Sequence, residues 1–267
     1  MVAQLVALGP EFDTFQDDTE ETLVGSSLHQ AAITSLYGNL ILCGPHRGLP
    51  WFIGNQTEIV IQRQGNTRPA KASPDICVHP TLTNASRTSL ILASDGPPVL
   101  AIEVASPSTA LRNDTNLADP KGKPRVYEAI GIMEYLVFDP TGGILGAQVW
   151  ARRSGASGYA PWEPTPDGRW TSATLGVSFE PQGLLLRVYD QDGELVPIVT
   201  EFADIIAERN RQLAERDQRL VPFAGKHSAE SAGVTQAPNT TLTVRRNFRR
   251  AVLADLEAQV RALRGDS

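Results

Sequence analysis

Apolar positions recur along the chain with two different periods, and each change of period marks a new element. Leu28, Ala32, Ile33, Leu36, Tyr37 and Leu40 fall at helical spacing, with Ser26 or Ser27 as N-cap and Gly44-Pro45 as the stop. His29 lies one position off that stripe and reads as a partly exposed helix residue. A loop with Gly48, Pro50 and Gly54 follows. Four short β-type runs come next: Glu58 to Gln62, Asp75 to His79, Leu90 to Ala93 and Leu100 to Val104, rich in β-branched residues and separated by Pro, Gly and polar stretches. After a charged loop from Ala110 to Lys123, Pro124 to Gly131 predicts a short helix, because Pro suits a first helical turn and Gly the position just past the last. Met133 to Pro140 predicts a strand ending in a turn. The order helix, strands, helix, strand implies a mixed α/β sheet with the short helix as a crossover. Leu145 to Trp150 and Leu184 to Tyr189 are further strands that extend the sheet or form a β-rich flap.

The C-terminal part changes character. Glu201 to Leu220 is a charged helix with a sparse apolar seam at Phe202, Ile206, Leu213 and Leu220. A Ser, Ala, Gly, Thr and Pro-rich linker spans 221–243. A second helix carries Leu253, Leu256, Val260 and Leu263 at the spacing suited to a partner helix, opened by Arg245, Arg246, Arg249 and Arg250. The expected organisation is therefore one domain over 1–199, with an acidic arm over 1–20, and a helical extension over 200–267.

Composition narrows the class. With 267 residues, 41% of them apolar, the chain has enough material for one sizeable core. No apolar run approaches a membrane span, and Met1 to Pro10 lacks the basic residue of a signal peptide, so the expectation is a cytoplasmic protein without membrane partners. Cys43 and Cys77 have no paired spacing and read as buried thiols. The net charge of −6 argues against a wholly basic nucleic-acid binder. Its distribution softens that objection, because the excess comes from Glu11, Asp13, Asp17, Asp18, Glu20 and Glu21 near the N-terminus, and later basic patches are compatible with DNA.

One residue breaks the apolar pattern. Glu103 stands in the middle of Val99-Leu-Ala-Ile-Glu-Val-Ala, and a carboxylate inside a buried strand must be neutralised, paired with a Lys or Arg, or bound to a metal. Asp75 opens an earlier strand, so one sheet can bring the two acids together. Two such oxygen ligands, with waters, suit Mg²⁺ or Mn²⁺, which can activate water against a phosphodiester while a lysine from the following loop steadies the reaction.

The wording of these segments goes further. Ser73-Pro-Asp75-Ile-Cys-Val, Ala101-Ile-Glu103-Val-Ala-Ser-Pro-Ser-Thr109, Asp114, Lys123-Pro-Arg-Val-Tyr127 and Gly131-Ile-Met-Glu-Tyr-Leu-Val-Phe-Asp-Pro140 together resemble the Uma2 family (DUF820), mainly bacterial members of the PD-(D/E)xK superfamily, over roughly 20–195. The resemblance implies a restriction-endonuclease-like fold, a mixed β-sheet flanked by helices. It also implies a Mg²⁺- or Mn²⁺-dependent endonuclease acting on DNA. Asp75 and Glu103 match the acidic pair that binds metal. The superfamily's lysine two positions after the second acid is absent, because Ala105 stands there; Lys123, four residues before Tyr127, takes the role, with Lys121 as its competitor. Asp114, or else Asp119, matches the Asp ahead of that lysine, and Glu21 is the nearest match to a first-helix glutamate that completes some metal sites. The alternative is a catalytically inactive DNA- or protein-binding module on the same fold. In either case the C-terminal helices offer a route to a homo-oligomer.

Overall fold

A computed structural model describes residues 27–62, 69–82, 87–107 and 110–224. The acidic arm, Glu21, the linker beyond Ala224 and the second C-terminal helix with Leu253 and its seam lie outside the described residues. In chain order the elements are α1 (Ser27–Cys43), β1 (Phe52–Asn55), β2 (Glu58–Ile61), β3 (Ala70–Ala72), β4 (Ile76–His79), β5 (Ser89–Ile91), α2 (Leu92–Asp95), β6 (Leu100–Val104), α3 (Lys123–Ile130) and β7 (Glu134–Phe138). β8 (Val149–Gly155), β9 (Gly158–Pro161), β10 (Trp170–Thr171), β11 (Ser178–Gln182), β12 (Leu185–Tyr189) and α4 (Val199–Ala224) complete the series.

The main sheet is mixed and six-stranded, in the order β1-β4-β6-β7-β8-β9. Within this sheet, among the described residues, only β6 and β7 pair in parallel, and α3 joins them, as a parallel pair requires a crossover. Strand alternation divides the core between the two faces of this sheet. Ile76, Val78, Leu100, Ile102, Leu136 and Phe138 pack with the α1 stripe Ala32, Ile33, Leu36 and Leu40. Cys77, Ala101, Tyr135 and Val137 pack with Val126, Tyr127 and Ile130 of α3. The central strands β6 and β7 are buried along their whole length, which accounts for their largely apolar sequences and makes Glu103 and Glu134 buried charges. Two smaller sheets, β3-β2-β5 and β10-β11-β12, complete the strands.

Several local expectations give way to tertiary demands. The segment expected to form a strand from Leu145 starts it only at Val149, because the residues before it wrap the Asp139 carboxylate. The Ile144 and Leu145 N–H groups donate to Asp139 Oδ2 at 2.7 and 2.9 Å, and these bonds hold the loop in a turn. Leu92 and Ala93, expected in a strand, begin the short helix α2. Phe52–Asn55, expected in a loop, forms edge strand β1 against β4. Gly54 makes this possible, since a Cβ there would come within 2.6 Å of Cys77 Sγ.

Two compact units divide the chain, Met1–Ile206 and Ala207–Ser267. The first turn of α4 is tied to the first unit. The Arg187 guanidinium, nearly buried on β12, donates to both Glu201 carboxylate oxygens at 2.9 and 2.8 Å. Beyond Ile206, α4 continues as a helix through Ala224. Among the described residues no helix is long and apolar enough to cross a membrane.

Candidate active site

β4 and β6 are antiparallel with Ile76 opposite Ile102 and Cys77 opposite Ala101. β4 begins at Ile76, so Asp75 immediately precedes it and comes up beside Glu103, whose side chain is on the α3 side of the sheet. Like charges directly across a strand pair repel, so the arrangement requires compensation. Part of it is backbone: Val104 N–H donates to Asp75 Oδ2 at 2.8 Å, and Asp75 N–H points to Glu103 Oε2 at 3.4 Å.

The remainder comes from α3. A Cβ on Gly122 would lie 2.5 Å from the Asn116 carbonyl oxygen, so the loop closes tightly there, and Gly122, in an extended conformation, caps the helix. Lys123 is consequently the first residue of α3, and its Nζ reaches Glu103 Oε2 at 3.2 Å and Asp114 Oδ1 at 3.4 Å. Tyr127, one turn on, is on the same helix face, and its hydroxyl donates to Glu103 Oε1 at 2.6 Å. Asp114 ends a one-turn π-helix, Ala110–Asp114, and its carbonyl accepts from the Tyr135 hydroxyl at 2.8 Å. The two tyrosine rings meet edge to face at 5.1 Å. The resulting group is enclosed: the Glu103 and Asp114 side chains are each 2% exposed and that of Lys123 13%.

This environment pushes the two acids apart. Burial raises the Glu103 carboxyl well above the usual range, and the neighbouring Asp75 and Asp114 charges raise it further, against the opposing pull of Lys123 and the Tyr127 hydroxyl. Asp75 is also raised by burial, but His29, the Lys123 charge and the Val104 N–H outweigh it and leave the carboxyl below its ordinary value. Asp75 is therefore the ionised member and Glu103 the more basic one, the divergence that acid–base chemistry uses.

The structure brings Asp75, Glu103, Asp114 and Lys123 together. Lys121 is exposed, and its N–H donates to Asp119 Oδ1; Asp119 caps the loop while Asp114 joins the acids. Two residues went unrecognised. His29 is buried rather than partly exposed, with Nε2 3.7 Å from Asp75 Oδ1; a single-helix stripe carries no information about the sheet that α1 crosses. Tyr127 was legible only as the landmark for Lys123, although its four-residue spacing from that lysine already put both on one face.

Among the described residues, no three His, Cys, Asp or Glu side chains gather into a metal-binding group. A pair of carboxylates is nevertheless what Mg²⁺ takes from a protein when waters and substrate oxygens fill the remaining positions. The acids of this site already surround one cation, the Lys123 ammonium, so an all-oxygen set around a positive charge fits a hard divalent ion.

A family model, Uma2, described as "Putative restriction endonuclease", matches residues 11–196. Among solved structures, a putative nuclease belonging to DUF820 from Anabaena variabilis ATCC 29413 is similar at 12% identity, over 66% of this chain and 74% of that one, with a TM-score of 0.31. No curated protein matches the sequence.

Proposed function

The chain belongs to the Uma2 family, and with that membership we propose that it is a metal-dependent endonuclease hydrolysing DNA phosphodiester bonds. The observation that carries the reading is Glu103, met by the Asp75 N–H from the start of β4 and linked to Asp114 through Lys123. Asp75 and Glu103 would hold Mg²⁺ or Mn²⁺, a Lewis acid that activates water and neutralises charge growing on the phosphodiester.

The protein groups have separate tasks. Asp75, ionised and anchored by the Val104 N–H, supplies a fixed negative oxygen. Glu103 is oriented by the Tyr127 hydroxyl, which holds its Oε1 in place. Lys123, held at the start of α3 by the Gly122 cap, offers N–H donors to the attacking water or to a phosphate oxygen where charge develops. Asp114 keeps that ammonium in position. Ala105, where the superfamily's usual lysine would stand, is buried against the α3 side, so the helix supplies the cation that the strand does not.

Purified protein with Mg²⁺ or Mn²⁺ should nick supercoiled plasmid, and Glu103→Gln and Lys123→Met should each abolish the nicking. Cutting that survives Glu103→Gln removes the assignment. DNA binding without cutting by the unaltered protein supports the inactive-module alternative instead.

A further inference from the structure

The face that carries Glu103 continues sideways across the sheet. β6 and β7 set Glu103 beside Val137, and β7 and β8 set Val137 beside Trp150. One step down the strands, Ala101, Tyr135 and Arg152 form the next row. Trp150 packs with Val137 and Tyr135 in the α3-side cluster, so these rows share the side of the sheet on which the acids stand. Two strand spacings separate Trp150 from Glu103, about 10 Å.

On this face Arg152 lies with its guanidinium 4.5 Å from the Trp150 ring centroid, while the Trp150 ring meets Tyr135 edge to face at 5.8 Å. The aromatic contact fixes the direction of the side chain and leaves its charge uncompensated. Arg152 forms no ion pair with a described residue; its enclosed Nε has no hydrogen-bond partner among them, and neither has that of Arg153 or Arg187, so the difference lies in the ion pairs. Other arginines of the fold contrast with it. Its neighbour Arg153, on the opposite face, stacks on Trp162 but also pairs with Glu134 at 3.1 Å, and Arg187 is matched by Glu201. A half-buried, pre-oriented guanidinium without a carboxylate is a donor fork of the shape that phosphate accepts.

We propose that Arg152, held against Trp150, binds a backbone phosphate of the nucleic-acid strand flanking the bond presented to the Glu103 cluster. The assignment rests on the nuclease reading above and adds a substrate contact to it. Phosphate contacts give position and salt-dependent affinity without reading sequence, so this arginine sets where the strand lies across the sheet.

The test is equilibrium binding of a short fluorescent DNA duplex, followed by anisotropy over a salt series, with Glu103→Gln as the uncut parent. Adding Arg152→Gln or Arg152→Met to that parent should weaken binding roughly tenfold at low salt and make the slope of log affinity against log salt shallower by about 0.9, the share of one phosphate contact. Arg152→Met retains the packing of the stem on Trp150, so either charge-removing variant that folds decides the outcome. Arg152→Lys should keep the slope and recover part of the affinity. Unchanged slope and affinity in the charge-removing variants overturn the Arg152 assignment and leave the nuclease reading intact. A parent that binds no duplex at any salt overturns both.

Discussion

Lys123→Met removes a cation shared by the buried acids Glu103 and Asp114 and retains most of the side-chain volume. At 3.2 Å from Glu103 and 3.4 Å from Asp114, with an effective dielectric near 20, each attraction is on the order of 5 kcal/mol before desolvation. Dehydrating the ammonium cancels much of that, and breaking a buried pair costs about 3–5 kcal/mol in practice. For a domain of this size the melting temperature should fall by roughly 6–20 °C. The loss has a defined pH dependence. Glu103 is raised above its ordinary value by burial and by its acidic neighbours, and Lys123 opposes the rise; without the lysine it moves further up. A carboxyl whose folded pKa exceeds its unfolded one loses stability as pH increases from the unfolded value toward the folded one. The deficit of the variant should therefore be smaller at pH 5, nearer the ordinary carboxylate range, than at pH 8. Urea unfolding of both proteins in EDTA at the two pH values measures it. Equal stabilities at pH 8, or a deficit that ignores pH, would refute the reading of Lys123 as the counter-ion of this cluster.

Two other outcomes follow from the same packing. Tyr127→Phe removes the donor to Glu103 Oε1 from a fully buried position, so urea titration should show a loss of roughly 1–3 kcal/mol, with nicking reduced in step because Glu103 is no longer oriented. Burial raises the Cys43 and Cys77 thiols to about 12, so neither should react with an aromatic disulfide reagent at pH 8 in the native protein, and both should react once it is denatured; rapid labelling of the native protein would contradict this.

Much of the fold is legible along the chain because its central pieces are long enough to declare a period. The α1 stripe, the mostly apolar β6 and β7, and the Pro-to-Gly bounds of α3 needed no partner to be recognised. The short strands did need one. β10 has two residues and β3 three, too few to establish alternation, and β1 contains a glycine that would mark a loop were Cys77 not packed against it. In the candidate site, residue type and order pointed to Asp75 and Glu103, since a lone charge in an apolar strand requires a partner, and the family resemblance pointed to Asp114 and Lys123. His29 gave no such sign. Its contact with Asp75 depends on how α1 crosses the sheet, and Arg152 likewise becomes distinctive only when no carboxylate is found beside it.

The sequence by itself determined the succession of helix, strand, crossover helix and strand, and put an acid on each of two strands ahead of a lysine and a tyrosine one helical turn apart. Helical and strand periods are relations between near neighbours, so they survive in a linear record. Tertiary structure alone decided that Asp75 comes up beside Glu103, that Lys123 reaches both Glu103 and Asp114, and that one carboxyl is pulled below its usual range while the other is pushed above it. Those outcomes depend on strand register, helix entry angle and exclusion of water, each set by segments far apart in the chain.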